Sequence, residues 1–217
     1  MATILMKLSE DRAVSQYDRW ISLLTFAQDQ VLRAYIIKHL LPQKGKILDV
    51  GCGTGKLLIE AGRRGLKGIG VDTNTEMLAI AEKRSKKHNL GKWVEFHHGD
   101  ATKLEFEDRT FDLVSSTLMI SELQSSEIAE FISEASRVSV PNAQVVIGGE
   151  GVPKNRLMAL FFGLIRRLSF NIVARTSQVK SHPHHDIPRA MKAAGLSPQY
   201  RVKFLGGLLE LTVAEVK

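Results

Sequence analysis

The chain has 217 residues, 44% of them hydrophobic, and a formal net charge of +7 with a pI near 9.6. That size suits one domain with a real core, and no apolar run reaches the roughly 20 residues of a membrane span. One cysteine, Cys52, excludes an internal disulfide, and the opening MATILMKLSEDR lacks the apolar stretch and cleavage site of a signal peptide, so a reducing, cytoplasmic setting is expected.

In chain order, the first 44 residues read as a helical cap: YDRWISLLTFAQDQVLRAYIIKHLL repeats apolar residues at helical spacing until Pro42 stops it. Strand and helix then alternate. KILDV is a strand and GKLLIEAGRRG a helix; GIGVD is a strand and TEMLAIAEKRSKKHNL a helix. WVEFH and FDLVSS are further strands, SSEIAEFISEASRV is a helix and AQVVIGG a strand. DIPRAMKAAG is a short helix with Gly195 at its C-terminal cap and Asp186 as the candidate N-cap. SPQYRVKFL and LLELTVAEVK, joined at Gly206 and Gly207, read as a β-hairpin. The pattern predicts an α/β, Rossmann-like sheet of seven strands, mostly parallel, with helices on both faces and an antiparallel C-terminal pair. We expect a single domain over residues 1–217, with a cap over about 1–44 and an insertion over about 151–185 that fits neither period.

ILDVGCGTG, Ile47 to Gly55, places Gly51, Gly53 and Gly55 between a strand and a helix. Open parallel sheets bind ligands at that end of a strand. Gly51 and Gly53 would let the backbone approach a ligand, and Gly55 would let helix and strand pack closely. Asp72 closes the second strand about 20 residues on, where an acid can accept from two ribose hydroxyls; otherwise it would cap the next helix, as Thr73 or Asn74 also could. Asp100, in HHGDAT, either accepts from an exocyclic amine or is an ordinary loop acid.

With these in place, the chain resembles the class I S-adenosylmethionine-dependent methyltransferases, above all the quinone and phospholipid branch. LDVGCGTG, GVDTNTEML and GDATKLEFEDRTFDLVSS are similar to successive motifs of that family, and RVSVPNAQVVI stands where its members usually have a glycine pair, here Asn142 and Ala143. The resemblance implies S-adenosyl-L-methionine as cofactor. It would set Asp49, Gly51, Cys52, Gly53 and Gly55 along the methionine moiety and Asp72 at the ribose. Thr73 and Asn74 would flank the adenine, Asp100 and Ala101 would meet its edge, and Ser116 and Thr117 would face the amino-acid end. Tyr17, in YDRW, resembles a tyrosine of the quinone and phospholipid branch whose helix closes over the cofactor; as a bare residue it could equally be a packed helix aromatic. The loop spacing is GxGxG rather than the GxGxxG of dinucleotide enzymes, and Asp49 would repel a phosphate. A nicotinamide oxidoreductase and a non-catalytic cofactor-binding module remain the alternatives.

Methyl transfer from a sulfonium needs positioning and exclusion of water, and a base only if the acceptor must lose a proton. Tyr17, His97, His98 and the run SHPHHD are candidate bases, and none is assigned; one of His97 and His98 is expected to point inward and the other outward. The spacing of His182, His184, His185 and Asp186 does not match a zinc pattern, so no metal is expected. Cys52 reads as a small buried side chain. LMALFFGLI, Leu157 to Ile165, followed by Arg166 and Arg167, is either core or an apolar face for a greasy acceptor or an anionic membrane surface. The expected acceptor is a hydrophobic or amphipathic small molecule, quinone- or phospholipid-like, with a soluble small molecule, protein or RNA as alternatives. Nucleic acid fits less well, because the basic residues in AGRRGLK, EKRSKKH and IRRLSF are scattered.

Overall fold

A computed structural model of the protein describes residues 28–151 and 186–217. Helix α1 (Gln28–His39) leads into strand β1 (Lys46–Val50), followed by α2 (Lys56–Arg63), β2 (Lys67–Asp72), α3 (Thr75–Lys87), β3 (Val94–His98) and β4 (Phe111–Thr117). A 3-10 turn (Met119–Glu122), α4 (Ser125–Val138) and β5 (Ser139–Glu150) come next, then α5 (Ile187–Ala193), β6 (Leu196–Phe204) and β7 (Leu209–Val216). The strands form one sheet in the order β3-β2-β1-β4-β5-β7-β6. β1 to β5 run parallel, and β7 runs antiparallel to both β5 and β6. The seven strands and their directions are those expected from the alternation of apolar runs.

Both faces of the sheet are covered, which is why β1 and β4 read as near-continuous apolar runs. On one face Ile47, Leu113, Val146, Leu211 and Val213 pack with Leu32 and Ile36 of α1 and Leu57 and Leu58 of α2. On the other, Leu48, Val50, Val114, Val145 and Ile147 pack with Phe131, Ile132 and Ala135 of α4 and Met191 of α5. Successive strand residues therefore feed two separate cores, as the pleat requires. The crossovers change direction between β1 and β4, opening a crevice at the carboxyl ends of those two strands.

Three local expectations need adjusting. β5 begins at Ser139, four residues before the AQVVIGG run, and the site of Asn142 is an excursion inside it. Opposite β4 the register passes from Phe111–Ser139 to Leu113–Gln144, and Asn142 takes φ +65 there, which asparagine tolerates better than most residues. Asp186 stands at the N-cap of α5, but its carbonyl rather than its carboxylate accepts from Arg189 and Ala190. His97 and His98 are both exposed, with His97 beside Glu95 and the Phe106 ring, so neither points into the core. Gly195 follows α5 with φ +81, and the hairpin turns through Leu205–Gly207 as expected. Tyr17, the histidine run from His182 to His185 and the Leu157–Ile165 run lie outside the described residues.

Candidate functional site

The glycine loop leaves β1 at the crevice. Gly51, Gly53 and Gly55 take φ of +71, +53 and +70, a left-handed backbone that side chains rarely adopt. Space separates their roles. A Cβ on Gly51 would lie 2.6 Å from Cβ of Met119, and one on Gly55 would lie 2.6 Å from a ring carbon of Phe96. At Gly53 nothing stands within 4 Å, so the bare backbone there faces open space. Gly55 thus permits the close packing expected of it, Gly51 seats the turn after β4, and Gly53 presents the backbone. Gly51 N–H and Cys52 N–H both donate to the Val71 carbonyl, at 2.8 and 3.1 Å, tying the loop to β2. The Cys52 thiol is buried against Gly70, where a Cβ would lie 2.7 Å from its sulfur, and burial pushes its pKa up; it is a packing residue.

Asp72 closes β2, half-buried, with each carboxylate oxygen engaged by the backbone. Gly53 N–H donates to Oδ2 at 2.7 Å, and Asn74 N–H donates to Oδ1 at 2.9 Å. The acid therefore fixes the exposed point of the loop. It does not cap α3: Asn74 does, its Oδ1 accepting from Glu76 and Met77 N–H at 3.0 and 3.1 Å. Thr73 between them is exposed. Asp100 folds onto its own turn, with Oδ1 accepting from Thr102 N–H and Oγ1 at 2.8 Å each, bonds that hold its carboxyl below the ordinary 3.8. Ala101 is buried beside it. Beyond β4, Ser116 is buried with its hydroxyl 4.0 Å from the Met119 sulfur, and Thr117 is half-buried opposite Gly148.

Asp49 is the unusual group. It is 4% exposed, and among the described residues its hydrogen-bond donor is the Ser115 hydroxyl, 2.7 Å from Oδ1. Burial lifts its pKa from 3.8 to about 7, against the Ser115 bond and the field of Arg33, with Asp72 adding repulsion. An acid held this way would be completed by a cation, and it disfavours a pyrophosphate beside the loop. S-adenosylmethionine, which carries an ammonium and a sulfonium, has the chemistry this donor set lacks.

Two supports were not read from the sequence. Ser115 meets Asp49 because the β1–β4 register sets those two residues side by side, and nothing in VSST distinguishes it from Ser116. Arg84, inside the charge run EKRSKKH, donates from Nη1 to the Thr54 carbonyl at 2.6 Å and hydroxyl at 2.9 Å, clamping the loop from α3. Its one sequence signal is its place on the α3 face that turns toward the loop.

Residues 47–142 match the model of a methyltransferase domain family. A demethylmenaquinone methyltransferase of Lactobacillus johnsonii is 30% identical over 153 residues, 69% of this chain, and the chain spans 62% of that relative's length. One of Staphylococcus aureus is 30% identical over 171 residues, covering 75% of this chain and 69% of the relative. Among solved structures, an S-adenosylmethionine-dependent methyltransferase of Methanosarcina mazei superposes with a TM-score of 0.64 at 22% identity, over 83% of this chain and 96% of that one.

Proposed function

The chain belongs to the class I S-adenosylmethionine-dependent methyltransferases, and from that premise we propose that it transfers a methyl group to a small hydrophobic or amphipathic acceptor of quinone- or phospholipid-like character. The observation that carries the cofactor half is the pairing of an open glycine backbone at Gly53, fixed by Asp72, with the buried acid Asp49. The bound cofactor supplies a methyl already activated on a sulfonium. The chain's part is then to hold, orient and keep dry. Asp49 takes the ammonium group and, in doing so, gives up the proton that burial makes it keep near pH 7. The Asp72 carboxylate accepts from the ribose hydroxyls alongside or in place of its backbone donors, and Asp100 and Ala101 border the adenine. Ser116 and Thr117 face the amino-acid end.

The acceptor half rests on the relatives, whose names specify a demethylmenaquinone, and on the greasy run Leu157–Ile165 with Arg166 and Arg167 after it. Among the described residues no helix is long and apolar enough to cross a membrane. Calorimetry tests the cofactor: S-adenosylhomocysteine should bind and nicotinamide dinucleotides should not, and tighter binding of a dinucleotide would overturn the reading. Labelled cofactor incubated with a cell extract, fractionated into lipid, small-molecule, protein and RNA pools, tests the acceptor. Label should enter the lipid pool, and cofactor binding without transfer into any pool would make the protein a non-catalytic binder.

A further inference from the structure

Beyond the cofactor crevice lies a second cavity of about 240 Å³, walled by Ile120 of the 3-10 turn and floored by β5, β7 and β6. The two sites share that turn: Met119 supports Gly51 of the loop, and the next residue, Ile120, walls the cavity. The floor departs from the pattern of its own strands. On one face β7 carries Leu209, Leu211 and Val213, all in the core, and β6 carries Phe204 against them. On the cavity face the same strands carry Glu210 and Thr212, paired across the ladder with Lys203 and Arg201. Glu210 accepts from Arg201 Nη1 at 2.7 Å and lies 3.2 Å from Lys203 Nζ.

A sheet face next to a ligand crevice would ordinarily be apolar or carry neutral polar groups. Here two cations share one carboxylate, so the trio keeps one positive charge. Glu150 also borders the cavity, at the strand end where β5 pairs with Leu209, a residue of the opposite face. Glu210 is the most buried of the trio, with 19% of its side chain exposed against 43% for Arg201 and 39% for Lys203, so the carboxylate lies beneath and the donors lie toward the opening. Arginine anchored at one edge still offers N–H donors for a second oxyanion.

We propose that Arg201 and Lys203, which share the one Glu210 carboxylate between them, form a subsite for an anionic oxygen group on the methyl acceptor. It gives the amphipathic acceptor an acidic end: a phosphate, carboxylate or phenolate. The assignment rests on the methyltransferase reading above and narrows its substrate class.

The test uses the full chain saturated with S-adenosylhomocysteine and two probes of equal chain length, dodecyl phosphate and dodecanol, below micelle-forming concentrations. Dodecyl phosphate should bind at least about tenfold tighter, as charge-assisted hydrogen bonds would give. R201Q/K203Q should bring the two within about twofold, and E210Q, which frees both cations, should tighten dodecyl phosphate severalfold. All variants should keep their affinity for S-adenosylhomocysteine, which shows that they fold. Equal binding of the two probes, a preference that survives R201Q/K203Q, or weaker phosphate binding by E210Q would overturn the proposal. Inorganic phosphate controls for the source: weak competition supports an acceptor group, and competition as strong as that of dodecyl phosphate overturns it in favour of a free-anion site. Failure of S-adenosylhomocysteine to bind the unaltered protein would be a different result, removing the methyltransferase reading itself.

Discussion

Two carboxylates at opposite ends of the sheet are treated in opposite ways. At the end away from the crevice, Glu134 of α4 accepts from Arg137 at 2.7 and 2.8 Å and from Leu104 N–H at 2.8 Å. The same arginine donates to Asp108 and to the carbonyls of Leu104 and Phe106, so the whole 104–108 loop is clasped to the helix. These bonds, the Arg137 ones foremost, hold the Glu134 carboxyl below its ordinary value. At the crevice, Asp49 is more deeply buried, has one hydroxyl donor, and sits at about 7. The chain completes its own electrostatics where a loop must be held, and leaves them incomplete where a cationic ligand would complete them.

The sharpest way to break that contrast is Asp49→Asn. A lift from 3.8 to about 7 corresponds to a charging penalty on the order of 4 kcal/mol. The sign follows from proton uptake. Between about pH 4 and 7 the folded chain holds this proton more tightly than the unfolded chain, so its stabilising contribution, complete below 3.8, is lost as pH rises to about 7. D49N should therefore gain stability over the unaltered protein as pH is raised from 5 to 8, by about 2–3 kcal/mol, the share of that penalty that falls in this window. It should lose about 2–4 kcal/mol of cofactor affinity at pH 8, the cost of leaving a bound cation unpaired. Denaturant titrations across pH, with calorimetry at each, decide it; parallel stability curves and an unchanged affinity would end the argument.

Arg137→Ala tests the other side. It should cost about 2–3 kcal/mol of folding stability, because it frees two carboxylates and two carbonyls together. Cofactor affinity should stay within about twofold, since the clasp holds a loop remote from the binding groups. Its pH dependence runs the opposite way from that of Asp49. The Glu134 carboxyl is depressed, so its contribution is complete above 4.5 and is lost as pH falls through the lowered value. The gap between R137A and the unaltered protein should thus narrow in acid to what the bonds to the Leu104 and Phe106 carbonyls supply, and a gap that is undiminished at pH 2–3 would show that the ion pairs contribute nothing.

The contrast also marks where sequence reading stops. The strands, the glycine loop and the place of Asp72 were legible because each is local: an apolar run, a turn residue, an acid closing a strand. Ser115 and Arg84 were not, because their partners lie 66 and 30 residues away and are set by strand register and helix packing. The charged cavity floor was hidden for a related reason. YRVKF and LELTV show only alternation, and alternation does not say which face borders a cavity. The excursion at Asn142 and the exposure of both histidines likewise depend on what a neighbouring strand leaves room for.

Asp72→Ala sharpens the comparison within the crevice. Its carboxylate already accepts from Gly53 and Asn74 N–H, so removal costs loop order as well as ribose contacts. Cofactor affinity should fall by about 1–3 kcal/mol, the range for a lost buried partner. The loss should be smaller than for Asp49, because Asp72 carries less unmet demand. An unchanged affinity would reduce Asp72 to a brace for the loop.

Asp100 is the weakest case, and the reasoning that ranks it is the same. Its carboxylate is exposed and Oδ1 is satisfied twice by Thr102, so the chain has already done for it what it left undone for Asp49. A ligand amine arriving there replaces water and competes with nothing buried, and such a bond is worth about 0.5–1.5 kcal/mol at most. Asp100→Ala should weaken cofactor binding only about threefold. Thr102→Val supplies the discriminating control. It removes the hydroxyl donor and keeps the carboxylate, so Asp100 should move back toward its ordinary pKa. If Asp100 serves only its own turn, both substitutions loosen the loop and should lower affinity together. If it meets the adenine edge, T102V should keep or slightly raise affinity while D100A lowers it. Calorimetry with S-adenosylhomocysteine at pH 8 separates the two outcomes. A loss at Asp100 as large as that at Asp49 would break the rule that unmet electrostatic demand sets what each acid contributes.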